Sequence, residues 1–273
     1  QLYTALETIK KYVSGVDNIF VQFGYSDKKY LDGYIKLVDL FDDVTFVDES
    51  EYGFRATLWS LLKNTDSTNI AFDVDDVIYY DKIDLQKCLN IFSSSNDTAK
   101  FGYSLNCELF EKSCFIDEGD YYVVDRHRDF GRELVNMCLK YPFNVSWAIH
   151  KVDDVTKLLD KYDIKNPVDL EIKGSADSIF NKYRYIIYNK NEVVKQIHLN
   201  NHFDRYDQVC ETDVLNDYFL NNEVLDINKI EINNMNTDMR WFNGEDIGRF
   251  PIFPWEIAPT YHKEMINNRR KLV

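Results

Sequence analysis

The sequence predicts an α/β protein in which a mixed, mostly parallel sheet is flanked by helices, and three observations carry that expectation. Over the first hundred residues, apolar positions recur alternately at helical and strand spacing. The strand-like runs are short and the helical stretches between them are two to three turns long, the pace of parallel strands covered by helices. With 273 residues, 45% hydrophobic and 15% aromatic, the chain can bury one large core.

Leu2, Ala5, Leu6, Ile9 and Val13 recur at helical spacing, and Ser14-Gly15 reads as the stop. The run 19–23 is strand-like, and a polar turn leads to a helix carrying Tyr30, Tyr34, Leu37 and Val38. Residues 44–47 read as a strand, 54–62 as a helix, and 69–72 as a strand that runs into Asp73. Beyond Asp84 the spacing predicts a short helix to Phe92, a turn at Ser93-Ser94-Ser95-Asn96, and strands at 101–105 and 121–124. Residues 145–149 read as extended and 152–162 as helical. A second helix is predicted over 168–180, with Asn166-Pro167 as its start. Runs 185–188 and 193–199, joined by Asn189-Lys190-Asn191-Glu192, suggest a hairpin. No repeat or long linker interrupts the chain, so the reading is one domain with a ligand-binding half over 1–105 and a second half with a C-terminal tail over 106–273.

A formal net charge of -14 argues against a nucleic-acid partner, which demands clustered Lys and Arg. No stretch approaches the roughly 20 apolar residues of a membrane span, and no basic segment followed by an apolar run opens the sequence. Cys88, Cys107, Cys114, Cys138 and Cys210 are scattered and odd in number, without a CxxC pair, which fits a reducing compartment. These features together lead to the expectation of a soluble, cytoplasmic protein whose oligomeric state the sequence leaves open.

The acidic motif Asp73-Val74-Asp75-Asp76 follows a strand whose carboxyl end is where α/β sheets bind ligands. Asp73 and Asp75 share one face of an extended chain, and a turn there would let all three carboxylates converge. Such a set suits Mn²⁺ or Mg²⁺, which take oxygen ligands and neutralise phosphate charge. The plainer alternative is a strand followed by a solvated acidic loop.

The stretches QLYTALETIKKY, NIFVQFGYSDKKYLDGY, VTFVDES and NIAFDVDDVIYY resemble the nucleotide-binding half of GT-A (Rossmann-like) glycosyltransferases of the family 2 group, in which a DxD-type motif follows a hydrophobic strand. The resemblance covers about the first 105 residues. It implies a nucleotide-sugar donor, a divalent metal (Mn²⁺ or Mg²⁺), and transfer to a glycan or other hydroxyl acceptor with inversion. Carried over, Asp75 is the leading metal or diphosphate ligand, with Asp73 and Asp76 sharing metal, ribose or sugar contacts. Arg55 falls where such enzymes contact the donor, and reads equally as a solvated helix arginine. The family begins with a strand and a basic loop, whereas this sequence opens on the following helix; either that strand lies outside the given chain or the site is altered.

Inverting transfer needs a general base. Glu245 and Asp246, after Gly244, resemble the acidic pair that relatives place by the acceptor, and read also as a polar turn. Trp147 offers an aromatic face to a sugar or a core side chain, and Ser146 stands where relatives often carry a carboxylate. His150, His198 and His202 are further candidate ligands, each with a structural alternative. The aromatic, proline-containing run 241–261 reads as a docking tail, an acceptor lid or a partner surface. Two rival functions remain. Asp73-Val74-Asp75 also fits the motif of haloacid-dehalogenase-like phosphatases, with Asp73 as nucleophile and Asp75 as acid/base. A non-catalytic nucleotide-sugar-binding protein is the other.

Overall fold

The computed structural model describes residues 1–103, 110–196, 212–222 and 224. Helix α1 (Leu2–Tyr12) buries Thr4, Ala5, Leu6 and Thr8 and carries Lys10 and Lys11 in its last turn, where cations favour the helix dipole. The chain then enters β1 (Val13–Ser14) and turns at Gly15, whose φ of +76° and 2.7 Å clearance to the Gln86 amide leave no room for a side chain. Next come β2 (Ile19–Phe23), α2 (Leu31–Leu40), β3 (Val44–Asp48), α3 (Gly53–Lys63) and β4 (Asn69–Phe72), the alternation read from the sequence. After the acidic motif follow β5 (Val77–Tyr79), β6 (Ile83–Asp84), α4 (Leu85–Ser93) and β7 (Thr98–Gly102). Asp84 caps α4 by accepting from the Gln86 and Lys87 amides at 3.0 and 3.2 Å.

The second half supplies β8 (Ile116–Asp117), β9 (Tyr121–Asp125), α5 (Glu133–Lys140), β10 (Ala148–Lys151), α6 (Val152–Lys161), α7 (Pro167–Ala176), α8 (Ser178–Asn181), β11 (Tyr185–Asn189), β12 (Val194–Gln196) and α9 (Thr212–Leu220). Asn166 caps α7 through the Asp169 amide at 2.8 Å, with proline in the first turn as its fixed φ favours.

The main sheet has the order β4-β10-β7-β11-β9-β8. β4 and β7 run the same way with β10 antiparallel between them, and β11 is parallel to β7. The two halves of the sequence therefore interleave in one mixed sheet. One core cluster joins Ala5, Val77, Tyr79, Phe92, Phe101 and Ile149, and another joins Leu58, Phe143, Val155, Leu159, Leu170 and Phe180. The expected hairpin is not formed: β11 pairs with β7 and β9, whereas β12 pairs with β5. The polar turn between them carries the chain from one sheet to another.

β2 and β3 pair in parallel as a separate ribbon. Between β2 and β4 lies a slot of about 570 Å³. Leu2, Ala5, Leu6 and Ile9 of α1 and Phe54, Leu58 and Leu62 of α3 contribute apolar lining. No helix among the described residues is long and apolar enough to cross a membrane.

Asp177 ties α6 to α8. It accepts from Lys161 and from the Tyr162 hydroxyl, both at 2.6 Å, and caps α8 through the Ile179 amide at 2.8 Å. Burial alone would raise its carboxyl, but these three donors outweigh that and hold it at about 2. A depressed folded-state value stabilises the fold above the unfolded value of about 4, and the contribution is lost as pH falls through the folded value. The whole is about 2 kcal/mol, with about half gone by about pH 3. Urea unfolding at pH 6 and 3 should show Asp177→Asn to be less acid-sensitive than the parent by about 1 kcal/mol; equal acid sensitivity would refute the assignment.

Candidate active site at the acidic turn

β4 delivers the motif to its carboxyl end, and the chain turns at Asp75-Asp76 before β5. Val77, Ile78 and Tyr79 are almost fully buried, and the Tyr79 amide donates to the Thr8 hydroxyl at 3.2 Å, which fixes β5 against α1. The turn is thus pinned on both sides.

Its carboxylates diverge. Asp73 accepts from the Tyr79 hydroxyl and from the Trp147 and Val74 main chains, with Asp76 nearby. Asp73 is exposed and lines the slot between β2 and β4. Desolvation, opposed by the hydrogen bonds and assisted by Asp76, pushes its carboxyl up to about 7. Asp75 is exposed and lies towards Tyr34 of α2, whose hydroxyl is raised to about 12 by burial and then by Asp75 and Glu49. Among the described residues no three Asp, Glu, His or Cys side chains gather as a metal cage. The turn expected from the sequence is present, but the three-way convergence is not.

Tyr34, Glu49 and Gln22 complete the mouth of the slot with Asp73 and Asp75. Gln22 donates to Glu49 at 2.7 Å and to the Phe54 carbonyl at 2.9 Å, and Tyr34 stacks on Phe23 with centroids 4.1 Å apart. The carboxyl ends of β2, β3 and β4 therefore meet here, the geometry in which open α/β sheets bind ligands. Sequence reasoning counted Tyr34 only as part of a helical apolar face; no local signal marks it as a neighbour of Asp75.

Trp147 adopts φ +55°, a left-handed conformation that a bulky residue rarely takes. Its carbonyl accepts the Tyr103 amide at 3.0 Å while its main chain bonds Asp73. The ring packs partly against the first core, and the buried indole N–H has no partner among the described residues. Such strain persists where surrounding contacts over-determine it, and it concentrates at functional sites.

Arg55 donates from Nε to the Leu159 carbonyl at 2.7 Å, so its observed contact ties α3 to α6. His150 is fully buried among Phe72, Phe143 and Phe180, away from any carboxylate cage. Burial, then the nearby Lys100, push its ring down to about 3, so it is neutral. Glu245, Asp246, His198, His202 and the run 241–261 lie outside the described residues.

No protein-family model matches this chain. The chain is similar to the bifunctional glycosyltransferase pgtA of Dictyostelium discoideum, with 22% identity over 283 aligned residues. The alignment takes in 88% of this chain and 36% of that protein, so the chain spans about a third of the length of the curated relative it matches.

Proposed function

We propose that this chain is a glycosyltransferase domain that binds a nucleotide-sugar donor at the acidic turn with a divalent metal, Mn²⁺ or Mg²⁺, and passes the sugar to an acceptor hydroxyl with inversion. The observation that carries the reading is the position of Asp75, exposed at the meeting point of three strand ends in a chain similar along 88% of its length to a glycosyltransferase.

The donor set fits such a metal. Mg²⁺ is commonly held by one or two carboxylates together with substrate phosphates and water rather than by a protein cage. Asp75, with Asp76 beside it in the turn, supplies those carboxylates without a third. When bound, the metal acts as the Lewis acid that stabilises the departing diphosphate. Asp73 has a different task. Its bonds to Tyr79 and Trp147 brace the turn, so Asp75 is presented on a fixed main chain. Tyr34, neutral at working pH, offers a hydroxyl beside Asp75. The base for the acceptor hydroxyl is assigned to Glu245 or Asp246 by resemblance.

Phosphatase chemistry is disfavoured by the place of the motif: Asp73 follows β4, after two strand–helix units, in a chain similar to a glycosyltransferase.

The test is a panel of sugar nucleotides with Mn²⁺ or Mg²⁺ and simple glycoside acceptors, run beside phosphate monoesters. Metal-dependent donor binding with sugar transfer is expected. Phosphate release from monoesters without donor binding would overturn the reading, and donor binding without any turnover would reduce the protein to a binding module.

A further inference from the structure

Lys100, on β7, is only 4% exposed and is the one buried lysine among the described residues. Burying an ammonium is costly unless it is compensated by bonding. Its Nζ donates to Asn144 Oδ1 at 2.6 Å and lies over the rings of Tyr141 and Tyr188 at 5.9 and 5.6 Å. Asn144 is otherwise fully engaged: its amide donates to the Ser146 carbonyl, and its own carbonyl lies 3.0 Å from His150 Nε2. The next amide, Val145, donates to Glu171 of α7 at 3.0 Å. Two residues further on, the chain reaches the left-handed Trp147, which bonds Asp73. An unbroken chain of contacts therefore runs from the buried ammonium to the candidate site.

We propose that Lys100 is a positioning residue for this site: by holding Asn144 it sets the path of residues 141–147 and seats the Trp147 main chain on Asp73. The assignment rests on the functional reading for its consequence and on the contacts alone for its geometry. It accounts for two features together, a charge carried into the interior and a bulky residue held at positive φ. Lys100 touches neither the slot mouth nor the acidic turn in any described contact, so its effect travels through Asn144.

The charge is also conditional. The groups around Lys100 are Glu171 from α7, Arg126 after β9, His150 from β10, Tyr188 from β11 and Tyr141 of the loop. Burial is the main influence and Arg126 reinforces it, while Glu171 opposes; the ammonium is pushed down to about 7. Below that value the charged bond to Asn144 is in place. Above it the neutral amine holds Asn144 through an ordinary, weaker hydrogen bond, and the loop loosens.

The test is ¹⁹F NMR of protein labelled with 5-fluorotryptophan, Trp147 being identified by Trp147→Phe, followed from pH 5.5 to 8.5. The wild type should show a Trp147 step that is missing in both Lys100→Met and Lys100→Arg. Any step from Asp73 persists in both. Lys100→Arg should keep the low-pH position throughout, whereas Lys100→Met should depart from it at every pH and weaken sugar-nucleotide binding about tenfold, the loss of one charged hydrogen bond. A Met variant that superposes on wild type at low pH would overturn the proposal. Should the Met variant not fold, ¹³Cε-lysine NMR of the wild type decides: Lys100 and Trp147 must share one midpoint, and different midpoints sink the idea. Absence of donor binding by the wild type would count against the functional reading and leave the spectroscopic test intact.

Discussion

Replacing Asp75 by alanine is expected to lower metal-dependent sugar transfer by about a thousandfold, equivalent to about 4 kcal/mol of transition-state stabilisation. Its side chain is exposed at the slot mouth, so the thermal midpoint should move by no more than about 2 °C. Asp73→Asn should behave differently. It keeps the shape of a group that braces the turn from within but disturbs the bonds to Tyr79 and Trp147. Its loss in transfer should therefore be smaller than that of Asp75→Ala, and accompanied by a lower melting temperature. Steady-state kinetics at saturating Mn²⁺ with parallel thermal melts separate the two roles. If Asp75→Ala retains more than about a tenth of the activity, the carboxylate is not the principal metal ligand.

The largest stability effect is expected at Phe143, which is fully buried. Its ring lies against Phe180, His150 and Phe72, at centroid distances of 4.6, 4.4 and 6.1 Å. It also presses on α7 at Gly174, where an added Cβ would stand 2.5 Å from Phe143 Cδ1. Truncation to alanine removes this packing from a site bounded by sheet and two helices that cannot readily collapse, and should cost about 4 kcal/mol. Urea denaturation at neutral pH measures it. A loss under about 1 kcal/mol would mean that the neighbouring rings close the gap, contrary to the packing described. Gly174→Ala should destabilise the same contact from the other side, because the incoming methyl meets the ring face.

Much of the fold was legible because its signals are local. β2 and β4 are uncharged runs bounded by polar turns, and their observed limits coincide with the runs read from the sequence. α6 carries apolar residues on one face and opens with Asp153 and Asp154, as a helix start should. The misassigned hairpin shows the limit: 185–189 and 194–196 have the right local pattern, but their partners are chosen by burial against β7, β9 and β5, far away in sequence. At the site, the acidic motif was visible and its internal division was not. Asp73 is set apart from Asp75 by Tyr79 and by Trp147, 74 residues later in the chain. Neither contact leaves a spacing rule. Lys100 was likewise silent, since a lysine in a short strand ordinarily marks an exposed face.

The interleaving of the two halves in one sheet has a consequence for how the chain can be cut. β10, from the second half, lies between β4 and β7 of the first. A fragment ending near residue 105 would therefore leave those two strands without the partner that joins them.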